Sequence, residues 1–181
     1  MPKRLPTFLA DREPEALLRA ASRERDRLLL MVGLYVGLRV AELCALRVEH
    51  LDFARRTLFV REGKGKKDRC LPIPRYLVGP LRGWVGARQE GFVFPSPRGG
   101  RLTTRAVQKL VKRLAMKADL RAADEPRRCT PHKLRHAFAT RMLERGADII
   151  TVRDALGHAS VATTQIYCHS TPERLRSAME V

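Results

Sequence analysis

One short run of the chain concentrates groups that suit an anion. In Thr130-Pro131-His132-Lys133-Leu134-Arg135-His136, Thr130 is placed to cap a helix and Pro131 suits the first helical position. His132 and Arg135, three apart, then project from neighbouring positions of the first turns. They stand beside free amide hydrogens and the positive end of the helix dipole, an arrangement that favours phosphate. Read alone, the same run also fits a basic helix with one satisfied histidine. A metal site at Cys129, His132 and His136 has ligand-like spacing, but Lys133 and Arg135 would crowd the cation and no fourth ligand is evident, so no metal is expected.

Further groups recur along the chain. Gly157 is placed to end one helix in the left-handed conformation and Ser160 to cap the next, which holds His158 in a short corner with Tyr167 two turns beyond. Each of these two residues alone reads as ordinary packing. Towards the N-terminus, Gly37 ends a helix and sets Arg39 just past a tight turn, with Glu42 one turn later and able to orient its guanidinium. Lys64 sits in the basic run Gly63-Lys64-Gly65-Lys66-Lys67-Asp68-Arg69.

Arg39 in Gly-Leu-Arg-Val-Ala-Glu-Leu, His132-x-x-Arg135, Leu156-Gly157-His158, and Tyr167 nine positions after His158 together resemble the tyrosine recombinase, or phage integrase, family. The likeness extends from residue 5 to the C-terminus and is strongest to the Xer-like bacterial branch; Lys64 matches that family's hairpin lysine. The resemblance implies a site-specific DNA recombinase or integrase domain that cleaves and religates strands through a 3′-phosphotyrosyl intermediate. Tyr167 would be the nucleophile, and Arg39, Arg135, His132 and His158 the cradle of the phosphate.

That assignment is chemically coherent. A guanidinium offers phosphate a two-pronged contact that ammonium does not. Lys64 would protonate the leaving 5′-oxygen, its own proton loosened by Lys66, Lys67 and Arg69, although Lys66 could substitute. The covalent bond stores the energy for religation, so no cofactor is expected, and the sequence carries neither a Walker-type loop nor an acidic cluster for magnesium. A type IB topoisomerase with similar tyrosine chemistry and a non-catalytic DNA-binding relative are the competing readings.

Several elements must position these groups. Helices are expected from Pro14 to Ala21, Arg25 to Val36 and Val40 to Leu46, and then at Arg75–Gln89, Thr104–Lys117, Pro131–Arg145, Ile149–Leu156, Val161–Tyr167 and Pro172–Met179. The nearly unbroken apolar run around Leu28–Val32 marks the second as the central buried helix. Thr57–Arg61 and Arg69–Ile73 read as an antiparallel hairpin, with Phe92-Val93-Phe94 as a short third strand. The expected class is α+β, mainly α-helical, with a small three-stranded antiparallel sheet.

Composition bounds the rest. The 181 residues carry 36 Lys+Arg against 19 Asp+Glu, a net charge of +17 that favours double-stranded DNA as partner. The longest apolar stretch, Leu28 to Leu38, is too short to span a bilayer and is broken by Gly33 and Gly37, and the N-terminus lacks a secretory core, so a cytoplasmic location is expected. Cys44, Cys70, Cys129 and Cys168 form no C-x-x-C pair and read as reduced thiols. Residues 1–10 resemble a linker, 11–170 the catalytic domain and 171–181 a helical tail; the N-terminal domain usual in the family is expected to be absent. The tail, with Leu175, Ala178 and Met179 on one face, is expected to dock in cis or on a neighbouring copy. A monomer or weak oligomer is expected without DNA, and a tetramer on synapsed DNA.

Overall fold

The computed structural model describes residues 12–61, 68–120 and 129–157. It divides into two compact units, Met1–Phe138 and Ala139–Val181. In the first, α1 (Glu13–Ala20) starts with Pro14 in its first turn and leads into α2 (Glu24–Tyr35). As its apolar run implies, α2 is buried on several sides, with Leu28, Leu29, Leu30, Val32 and Leu34 all inside. The short α3 (Val40–Ala45) follows, then a single 3-10 turn at Val48–His50.

The sheet is antiparallel with strand order β1 (Leu51–Asp52), β2 (Thr57–Val60), β3 (Arg69–Pro72). Leu51 faces Leu58, and Val60 faces Arg69 across the hairpin. The expected third strand at Phe92–Phe94 is therefore corrected: the third strand is Leu51–Asp52. Phe92 forms only an isolated bridge with Arg47, and the Val93 amide donates to the Leu46 carbonyl at 2.9 Å. Val93 and Phe94 are apolar because they fill the core beside the end of α3, not because they extend the sheet.

The helix α4 (Arg75–Val85) stops four residues before the expected Gln89. Gly86 turns the backbone to positive φ, and the Arg88 guanidinium then donates to the carbonyls of Trp84, Val85 and Phe92, each at 3.1 Å. A side chain thus satisfies carbonyls at the helix end that further helix would have satisfied. Next, α5 (Thr104–Lys117) begins with the Thr103 hydroxyl accepting from the Ala106 amide and buries Val107, Leu110, Val111 and Leu114. Its last basic residue, Lys117, donates to the Ala20 carbonyl at 3.0 Å, tying α5 to the end of α1.

The helix α6 (Pro131–Glu144) carries the His132/Arg135 motif in the first unit. In the second unit, α7 (Ile149–Leu156) is capped by the Asp148 carboxylate, which accepts from the amides of Ile150 and Thr151, and it ends at Gly157 in the left-handed conformation. The class is α+β and mostly helical, as expected. No helix among the described residues is long and apolar enough to cross a membrane. The segments expected to form the linker, the helices Val161–Tyr167 and Pro172–Met179, and the tail lie outside the described residues.

Candidate active site

The site begins where α2 ends. Gly37 has φ +74°, and a Cβ placed on it would stand 2.2 Å from the Phe138 ring of α6, so both conformation and space demand glycine. One turn earlier, a Cβ on Gly33 would meet Leu134 of the same helix at 3.2 Å. Two glycines four residues apart thus receive two large side chains four residues apart, which draws α6 close against the end of α2. That approach lets Arg135, itself buried, donate from Nη1 to the Gly37 carbonyl at 2.7 Å.

Two residues on, Arg39 takes an extended conformation and opens α3. Glu42, three residues into that helix, turns back and accepts from the Arg39 amide at 2.7 Å and from its Nη1 at 2.9 Å. This is half of a capping box; an arginine side chain has no acceptor with which to complete the other half. The local geometry therefore follows from residue type and spacing alone.

Tertiary contacts add two more arginines. Along β3 the side chains alternate, Leu71 buried and Cys70 and Pro72 exposed, which puts Arg69 on the inner side with Leu71. Arg69 meets Glu42 end-on, Nη1 to Oε1 at 2.9 Å and Nη2 to Oε2 at 2.8 Å, with the two side chains only 12% and 8% exposed. Arg135 Nη1 lies 3.9 Å from Glu42 Oε2. Burial pushes the Glu42 carboxyl up, but hydrogen bonds from Arg69 and from the Arg39 amide, with the Arg69 charge, outweigh it and hold the group at about 2.

Among the described residues, three guanidinium groups thus surround one carboxylate, three positive charges against one negative. A desolvated cluster with that balance attracts an anion, and two-pronged donors on two different elements fit a tetrahedral phosphate. His132 is exposed on the first turn of α6, one turn from the buried Arg135. On its other side, His136 is half-buried, and burial followed by the charges of His132, Arg135 and Lys133 lowers its proton affinity. Burial holds the Cys129 thiol at about 11.

Of the residues singled out from sequence, the fold brings Arg39, Glu42 and Arg135 together, and His132 stands one turn from Arg135 at the start of α6. Lys64, His158 and Tyr167 lie outside the described residues. Arg69, read from sequence only as a charge near Lys64, is directed onto Glu42. The strand's two-residue period carried that signal, since it puts Arg69 on the same side as Leu71 and a buried arginine needs a carboxylate.

Comparison with known proteins identifies the family. Residues 7–174 match the phage integrase family. The chain is 41% identical over 187 residues to tyrosine recombinase XerA of Thermococcus kodakarensis, covering 99% of this chain and 64% of that relative's length. Among solved structures, the crystal structure of XerA recombinase superimposes with a TM-score of 0.81 at 33% identity, over 99% of this chain and 64% of that one. XerH site-specific recombinase, bound to difH substrate in a pre-cleavage complex, gives 0.78 at 29% identity, over 100% of this chain and 56% of that one. With a family match over most of its length and recombinase relatives of about the same degree of identity throughout, the chain belongs to the phage integrase family.

Proposed function

We propose that this chain is the catalytic domain of a site-specific DNA recombinase that cuts and rejoins strands, without metal or cofactor, through a covalent tyrosine–DNA intermediate. The observation that carries the reading is the convergence of Arg39 and Arg135, remote in sequence, on Glu42 at the mouth of α6. In this reading both guanidinium groups hold the non-bridging oxygens of one phosphate and stabilise the charge that builds as it is attacked. His132 adds a donor from the first turn of α6, and His158, which the motif assigns to the same cradle, adds another.

The remaining roles rest on the motifs. Tyr167 attacks phosphorus as its phenolic proton passes to a histidine of the cradle, a bond to the phenolic oxygen forms as the bond to the 5′-oxygen breaks, and Lys64 gives that oxygen its proton. Attack by a second 5′-hydroxyl reverses the step and releases the phenol. DNA as partner is supported by the charge of the chain and by the substrate bound to XerH. It is supported further by the exposed side of α5, where Arg105, Lys109 and Lys112 stand in a helix without an acidic residue. The names of the relatives favour strand exchange over simple relaxation. Copies of the chain would assemble on synapsed DNA, with residues 172–181 docking on a neighbour.

The test is covalent trapping. The chain is incubated at low salt with a labelled pool of nicked duplexes of randomised sequence, and adducts that survive denaturation are recovered and sequenced. Adducts on a shared sequence, lost in Tyr167→Phe, are expected. No adduct from the whole pool, or an adduct that persists in Tyr167→Phe, would overturn the proposal.

A further inference from the structure

Glu42 is saturated in an informative way. A carboxylate offers about four acceptor positions. Here Oε1 accepts from Arg39 Nη1 and Arg69 Nη1, and Oε2 accepts from the Arg39 amide and Arg69 Nη2. Half of its capacity is thus taken by Arg69, an arginine that reaches it from β3 and lies below the surface. Arg39, by contrast, grips Glu42 through one guanidinium nitrogen. Arg135 Nη1, 3.9 Å from Oε2, stands just beyond hydrogen-bonding range.

We propose that Arg69 is a positioning residue for the phosphate site: by filling two acceptor positions of Glu42, it prevents that carboxylate from capturing Arg39 and Arg135, and so keeps both directed at DNA. Without Arg69, the two vacated positions are within reach of a second Arg39 nitrogen and of Arg135 after a shift of about 1 Å. A carboxylate gripped in the two-pronged manner would compete with the phosphate for the same donors. Arg69 has no such conflict, because it is committed to Glu42 through both terminal nitrogens.

The inference rests on the cleavage chemistry proposed above, and its test separates the two. In single-turnover cleavage of a nicked duplex, Arg69→Gln is expected to react about 10- to 100-fold more slowly, the loss common when an orienting partner is removed. Arg69→Lys falls between, since an ammonium lacks the fork. The discriminating variant is Glu42→Gln introduced into Arg69→Gln: removing the competing charge should restore part of the lost rate. A role confined to folding would make the double variant worse than Arg69→Gln. Cleavage by Arg69→Gln at the parent rate, or no recovery in the double variant, would overturn the inference.

A second readout needs no cleavage at all. The Glu42 carboxyl carbon, followed by nuclear magnetic resonance, should titrate at about 2 in the parent chain and distinctly higher in Arg69→Gln and, if that variant does not fold, in Arg69→Lys. Among the described residues the groups facing it are Arg39 at the start of α3, Arg69 of β3 and Arg135 of α6, while His50 and Arg61 line the adjoining cavity. An unmoved titration would show that Arg69 does not set the state of Glu42. A parent chain that forms no adduct would count against the cleavage chemistry, and the titration would still decide the role of Arg69.

Discussion

Two buried carboxylates in the first unit are held by arginines, and they serve different ends. Asp26, at the start of α2, takes Nε and Nη2 of its sequence neighbour Arg25 on one oxygen at 2.9 and 2.7 Å, while Arg25 Nη1 donates to the Pro95 carbonyl. Its other oxygen is 3.7 Å from Arg113, whose side chain is 70% exposed and screened by water. Glu42 instead draws its arginines from the start of α3, from β3 and from α6. The Asp26 group is closer to local neutrality and pins α2 to the chain at Pro95. The Glu42 group concentrates positive charge from three elements at one point, and that arrangement favours an added anion.

The largest expected effect tests whether planar donors, rather than charge alone, matter at Glu42. Arg39→Lys and Arg135→Lys should each lower single-turnover cleavage by about 10²- to 10³-fold, as for loss of a fixed donor to the transition state. Near-parent rates would reduce the cluster to simple charge. Next comes the glycine that shapes the cluster: Gly37→Ala should cost roughly 2–4 kcal/mol of stability, because it adds a Cβ at positive φ and against the Phe138 ring. Thermal denaturation measures it, and an unchanged midpoint would show that α6 can retreat from the end of α2.

A smaller effect, at most about 3 kcal/mol, concerns pH. In the unfolded chain Glu42 is an ordinary carboxyl near 4.5, and in the fold it is held at about 2. Its contribution is therefore complete above the unfolded value and is lost as pH falls towards the folded one. The stability gap between the parent chain and Glu42→Gln, measured by urea denaturation, should shrink between about pH 6 and about pH 2.5. A constant gap would contradict the origin given for the lowered value. The smallest effect belongs to the other carboxylate: Asp26→Asn should cost about 1–3 kcal/mol in stability while leaving cleavage per folded molecule unchanged. A hundredfold loss of cleavage there would erase the contrast between the two clusters.

Much of the positioning framework was legible beforehand, for local reasons. The bounds of α5 follow from a Thr cap and a three- and four-residue apolar stripe, and those of α7 from Asp148 and Gly157. Less legible was β1, whose two residues are too few to display a period, so the apolar run at Phe92–Phe94 was the more visible candidate for its place. The early end of α4 escaped because Arg88 caps it by folding back onto two of its carbonyls.

The sequence by itself determined which groups stand ready at the proposed phosphate site. Arg39 beyond a glycine turn, Glu42 one turn into the next helix, and His132 with Arg135 at a helix start are all set by interactions within a few residues, and the Glu42–Arg39 contact is itself of this kind. Tertiary structure alone decided that Arg69 shares Glu42 and that Arg135 reaches the Gly37 carbonyl. Those contacts join elements distant in the chain, and they form only because Gly33 and Gly37 admit Leu134 and Phe138 and because β3 turns its arginine inward. Residue type and spacing specify donors and acceptors locally. Close packing determines which of them meet, because a desolvated charge must find its partner wherever the fold brings one within reach.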